Sequence, residues 1–171
     1  MATKSRLRSR SPLSSSDRFE TFLTRIKTHS HTGGCHCGGL RWSLDTDVPL
    51  VDFTPRACDC DFCARHRAAW ISDSKGTLIL RIVRAGVLQR YRQGSDQAEF
   101  MICRECGVLV AVMAKHTQGA LFGAVNRNAF DRREFPAETI VSPQRLSAEA
   151  KLARWIEIWT PTQIQVEYPE S

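Results

Sequence analysis

Seven cysteines fall into three short clusters: Cys35-His36-Cys37, Cys58-Asp59-Cys60-Asp61-Phe62-Cys63 and Cys103-Arg104-Glu105-Cys106. No other feature constrains the fold as strongly. The spacings C-x-C, C-x-C-x-x-C and C-x-x-C bring thiolates onto a common ion, and a tetrahedral set of sulfurs is the usual signature of zinc. The count divides naturally into four and three. Four thiolates close one site, and three leave a coordination position open. Disulfides fit less well, because the number is odd and C-x-C pairs are poorly placed to bridge.

The closed site is read as Cys35, Cys37, Cys103 and Cys106. Gly38 follows the first pair and Gly107 the second. Glycine after a ligand cysteine lets the chain turn with positive φ and aims amide N–H groups at sulfur. Such knuckles belong at the tips of hairpins. An ion held there ties the start of a sheet to a late hairpin, as a structural zinc does.

Cys58, Cys60 and Cys63 form the second set. A turn entering a helix places all three on one ion, and the fourth position then takes water or substrate. Three thiolates around a dication carry a net charge of −1, which suits a sulfur ligand better than activation of water. A thiol bound there loses its proton near neutral pH. His66 stands one helical turn beyond Cys63. Three roles are open to it: fourth ligand, proton shuttle beside the open position, or an ordinary surface histidine. Arg65 and Arg67 flank it and can pair with substrate carboxylates. Trp70 is read as core.

The rest of the chain is that of one domain. Its 171 residues are 42% apolar, with no run near the ~20 residues of a membrane span. No apolar signal segment opens it, so a cytoplasmic setting with reduced thiols is expected. The net charge of +6 is concentrated at the start: residues 1–31 carry seven Lys/Arg against two Asp/Glu. This segment is expected to be a solvated basic tail ending in a short amphipathic helix, with Asp17 as cap and Phe19, Phe22, Leu23 and Ile26 on one face. Residues 32–171 form the zinc-binding domain. Strand-sized runs follow at Leu40–Leu44, Thr77–Val83, Val87–Arg92, Ala98–Ile102, Val108–Met113 and Ala120–Val125, which indicates a mostly β fold of antiparallel sheets. Residues Ser147–Trp155 read as a helix capped by Ser147, with Leu152 and Trp155 facing inward. Ile156–Trp159 and Ile164–Tyr168 read as closing strands.

The run Gly33-Gly34-Cys35-His36-Cys37-Gly38-Gly39-Leu40-Arg41-Trp42, followed by Cys58-x-Cys60-x-x-Cys63 and Cys103-x-x-Cys106-Gly107, resembles the glutathione-dependent formaldehyde-activating enzymes. Centromere protein V belongs to the same family. The similarity covers roughly residues 32–125 and matches all seven cysteines in order and spacing. It implies a zinc-stapled β-tent fold, with a structural zinc on Cys35, Cys37, Cys103 and Cys106 and a catalytic zinc on Cys58, Cys60 and Cys63, two Zn²⁺ per chain. It also implies a carbon–sulfur lyase that joins glutathione and formaldehyde into S-hydroxymethylglutathione, or reverses that step. The sequence departs from the family at Ala64–Trp70 and in the segment Phe130–Ser171, the regions where a substrate would be chosen.

The expected function is a zinc-dependent lyase acting on a thiol–aldehyde adduct, with a small thiol such as glutathione as partner. The alternative is a non-enzymatic zinc module that binds a partner or nucleic acid through the basic tail. The tail lacks the interleaved aromatic residues of a base-stacking surface, so nucleic acid is not the expected partner. A redox-sensing role for the three-cysteine set is a third reading. A homo-oligomer is compatible with the sequence.

Overall fold

The computed structural model describes residues 27–168. The expected amphipathic helix with Asp17 and Phe19–Ile26, and the basic stretch before it, lie outside these residues.

The described residues hold eleven strands, two α-helices and three short 3-10 helices. The first sheet holds β1 (His29–Gly34), β2 (Leu40–Thr46), β5 (Thr77–Ile82) and most of β11 (Thr160–Val166). The second holds β6 (Leu88–Arg92), β7 (Ala98–Cys103), β8 (Leu109–Lys115) and β9 (Leu121–Asn126). It continues through β4 (Ala69–Ile71) and β3 (Arg56–Cys58) to β10 (Thr139–Val141). Strand β11 joins the two. Thr160 and Pro161 pair antiparallel with β9, and Thr162–Val166 pair parallel with β5. A second parallel pair unites β3 and β10, and the remaining pairings are antiparallel.

The burial pattern follows from side-chain alternation. On β5, Leu78, Leu80 and Ile82 are buried while Thr77, Ile79 and Arg81 are less so. They meet Leu44, Trp42 and Leu40 of β2 directly across the ladder. A strand with one wet face alternates in this way. Strand β8 does not alternate, because it is buried on both faces from Leu109 to Ala114. Val110, Ala111 and Met113 join one core with the first sheet, whereas Leu109, Val112 and Ala114 join a second core. The second sheet is therefore a central layer. The first sheet covers one face and a helix covers the other.

That helix, α2 (Ala148–Ile158), follows α1 (Asp61–Arg65) in the chain. The Ser147 hydroxyl accepts the Ala150 N–H at 3.2 Å, which satisfies one of the first-turn donors. Leu152 and Trp155 pack on the second core as expected. The expected strand Ile156–Trp159 is not formed, because α2 continues through Ile158. The reason is the apolar face: Trp159 lies four residues beyond Trp155, the two rings stack at 4.7 Å, and the Trp159 N–H bonds the Trp155 carbonyl at 2.7 Å. Of the expected closing strand Ile164–Tyr168, Ile164–Val166 form the later part of β11, and Glu167 and Tyr168 lie beyond its end. No helix among the described residues is long and apolar enough to cross a membrane.

Candidate functional site

The turns of two hairpins carry the first cysteine group. Cys35 and Cys37 lie in the β1–β2 turn, and Cys103 and Cys106 lie in the β7–β8 turn. Gly38 and Gly107 adopt φ of 77° and 72° there, the left-handed conformation that a ligand knuckle requires. The Gly107 N–H returns to the Cys103 carbonyl at 2.9 Å, and the Leu40 N–H points at the Cys35 sulfur at 3.2 Å. All four Sγ atoms lie within 4.8 Å of one another, with Cys37 at 3.5 Å from Cys35 and 3.4 Å from Cys103. Zinc holds thiolates at about 2.3 Å, which sets sulfurs about 3.8 Å apart in a tetrahedron, so the donor set fits this ion. Arg84 donates to the Cys37 sulfur at 3.1 Å and pairs with Glu105 at 2.6 Å. Burial alone would raise the Cys106 thiol, but N–H groups of Cys37 and Val108 and neighbouring thiols bring it down to about 6. Burial raises Cys103 to about 12.

The second group sits where β3 runs into α1. Cys58 ends the strand, Cys60 is the N-cap with extended backbone, and Cys63 is buried in the first turn. Their Sγ atoms also lie within 4.8 Å of one another. Hydrogen bonding from Cys58 and Cys63 holds Cys60 down at about 2. The bond with Cys60 pushes Cys58 up to about 11, and bonds with Cys58 and Cys60 drive Cys63 above the usual thiol range. Crowded sulfurs that divide charge so unequally gain from a cation among them. The two cysteine groups can thus each hold a metal ion, and both are compatible with zinc.

A cavity of about 390 Å³ opens beside the second group, and Cys58, Cys60 and Cys63 all line it. The β6–β7 turn forms part of its rim, and from this turn Gln93 reaches the Cys60 sulfur at 3.6 Å. Trp70 and Phe100 belong to the wall and to the second core, so Trp70 is core as expected. Helix α2 contributes Lys151, Arg154, Trp155 and Ile158. These positions are spaced i, i+3, i+4 and i+7, which is one helical face. Arg56 faces the cavity from β3, two residues before Cys58 and hence on the same side of the strand. Its guanidinium donates to the Ser72 hydroxyl, which in turn donates to the Ile158 carbonyl at 2.6 Å. Burial, and then the nearby charge of Arg154, lower the Arg56 guanidinium to about 10.

The other residues singled out from the sequence lie elsewhere. Arg65 is exposed and pairs with Asp61 at 3.1 Å. His66 is the C-cap of α1, its ring against Phe62 at 4.6 Å. Arg67 has φ of 47°, and its carbonyl accepts from Asn128 at 3.0 Å. None of the three lines the cavity, because α1 is only five residues long and turns away after Cys63. Sequence reasoning did not single out Arg56, Lys151 or Arg154. The i, i+3, i+4, i+7 spacing on the C-terminal helix was the available signal for the last two.

A family model described as glutathione-dependent formaldehyde-activating enzyme matches residues 30–160. Among solved structures, the chain is similar to a Rhodobacter sphaeroides protein determined by crystallography. That similarity is 27% identity over 58% of this chain and 87% of the other, with a TM-score of 0.44.

Proposed function

Since the chain belongs to the glutathione-dependent formaldehyde-activating enzyme family, we propose that it is a zinc-dependent carbon–sulfur lyase acting on thiol–aldehyde adducts. The observation that carries this reading is the position of Cys58, Cys60 and Cys63 in the wall of a cavity, whereas Cys35, Cys37, Cys103 and Cys106 line none of it. The second group, Cys58, Cys60 and Cys63, holds the catalytic ion, and the first group holds the structural one. When bound, the catalytic zinc supplies a Lewis acid that lowers the pKa of a substrate thiol and fixes its sulfur.

The chain supplies the rest. Cys60 begins α1, so its sulfur is set by the helix start, and the Gln93 amide fixes it from the opposite rim. In the cleavage direction the hydroxyl proton of the adduct leaves, the carbonyl forms and the C–S bond breaks, with sulfur departing as thiolate. In the forward direction the thiolate adds to the carbonyl carbon and the oxygen takes a proton. Asp61 is the one carboxylate in the cavity wall among the described residues, and it is assigned the proton. His66 is left without that task because it lies outside the wall.

The test pairs Cys60→Ser with metal analysis and turnover of an adduct such as S-hydroxymethylglutathione. The variant is expected to keep its fold and the first ion, to lose the second, and to fall in activity by at least two orders of magnitude. Unchanged turnover with the second ion absent would refute the assignment.

A further inference from the structure

The cavity wall has a composition that the chemistry at the cysteines does not explain. Arg56, Lys151 and Arg154 bring three cations to it, and none of them forms an ion pair among the described residues. Asp61, the wall's carboxylate, is already paired with Arg65. Asp59 is engaged on the exposed side by Ser142 and by Gln144 at 3.1 Å. Three thiolates around a dication carry −1, and a fourth thiolate from a substrate brings this to −2. Three cations therefore exceed the charge of the fully occupied centre by one. Arg56 and Arg154 face the same cavity, and two like charges brought to one wall are costly to hold together unless an anion joins them.

Another part of the wall is apolar and aromatic, while Gln93, Ser95 and Gln144 add polar groups to the lining. Trp155 and Trp159 stack nearly parallel, at 11°, and Trp70, Phe100 and Ile158 continue the surface. The aromatic part gains from an apolar or flat body laid on it. Along β3, the Cα atoms of Arg56 and Cys58 are about 6.6 Å apart on one face, so the acid contact and the sulfur contact lie within reach of one small molecule.

We propose that the cavity selects an amphipathic thiol adduct: sulfur at Cys58, Cys60 and Cys63, an aromatic or apolar body on Trp155 and Trp159, and a carboxylate on Arg56, Arg154 and Lys151. The inference rests on the lyase reading above for the sulfur end alone. Arg154 and Lys151 are specificity-determining residues in this scheme, and Arg56 anchors the acid at the strand.

Equilibrium binding to the metal-loaded full chain, followed by tryptophan fluorescence and checked by calorimetry, separates the parts. Four probes are needed: 3-phenylpropanoate, its primary amide, 2-mercapto-3-phenylpropanoate and glutathione. The acid is expected to bind at least about tenfold more tightly than the amide, the worth of one charge-assisted contact. The mercapto acid should bind more tightly than both the sulfur-free acid and glutathione. Arg154→Gln combined with Lys151→Gln should erase the preference for acid over amide while metal content and far-ultraviolet circular dichroism stay unchanged. Equal binding of acid and amide, an unchanged preference in the double variant, or tighter binding of glutathione than of the mercapto acid would overturn the inference. A mercapto acid that binds no better than the sulfur-free acid would instead overturn the lyase reading and leave the acid pocket standing.

Discussion

A methyl group added at Gly33 would overlap the Ala129 carbonyl oxygen and the Trp42 ring. The strand there bridges to Phe130, whose ring packs edge-on to Trp42 at 4.5 Å. Gly107 is glycine for a different reason. Nothing lies near its missing side chain, but its φ of 72° is the left-handed conformation. Gly33→Ala should therefore cost more than the ~1–3 kcal/mol of ordinary overpacking. Gly107→Ala should cost about 1–2 kcal/mol. Denaturant unfolding of the two zinc-loaded variants checks the order, and a Gly33→Ala protein as stable as the parent contradicts the packing account. At this scale the residues that matter in the cavity are few. Cys58 and Arg56 share one face of a three-residue strand, so the ion and the acid contact are placed by the same short element.

Helix α2 is the element on which the cavity depends most. It has no fully buried residue, so its hold on the sheet rests on one amphipathic face and on its cap. Ser147→Ala removes the hydroxyl that accepts the Ala150 N–H and should destabilise the protein by about 0.5–2 kcal/mol. Thermal unfolding reads this directly, and no change in midpoint would mean the cap is idle. The sequence already pointed to this helix and its cap, because Ser147 precedes an apolar period. It misplaced the end, since Ile156–Trp159 is rich in strand-forming residues while the Trp155–Trp159 stack favours helix. Strands β3, β4 and β10 are three residues each, too short to show alternation, and β1 reads His-Ser-His-Thr-Gly-Gly without an apolar period. Both cysteine groups were legible because chelation fixes spacing locally. The acid wall was not, because Arg56 and the α2 residues meet only through long-range packing.

In the whole molecule the two cysteine groups occupy different positions. The first joins the β1–β2 turn to the β7–β8 turn, and so links the two sheets that enclose the larger core. A zinc ion bound there would contribute on the order of 10 kcal/mol, comparable with the total stability of a domain. The second lies on the opposite face of the central sheet, with Cys60 and Cys63 in the smaller core and the cavity before them. The central claim is that this second centre keeps one position free for a substrate sulfur. Cobalt loaded in place of zinc tests it most directly, through the sulfur-to-metal charge-transfer bands before and after a thiol is added. The account predicts a rise in these bands on titration with glutathione or 2-mercapto-3-phenylpropanoate, and no rise in Cys60→Ser. A fully loaded protein whose bands do not change with either thiol would contradict it.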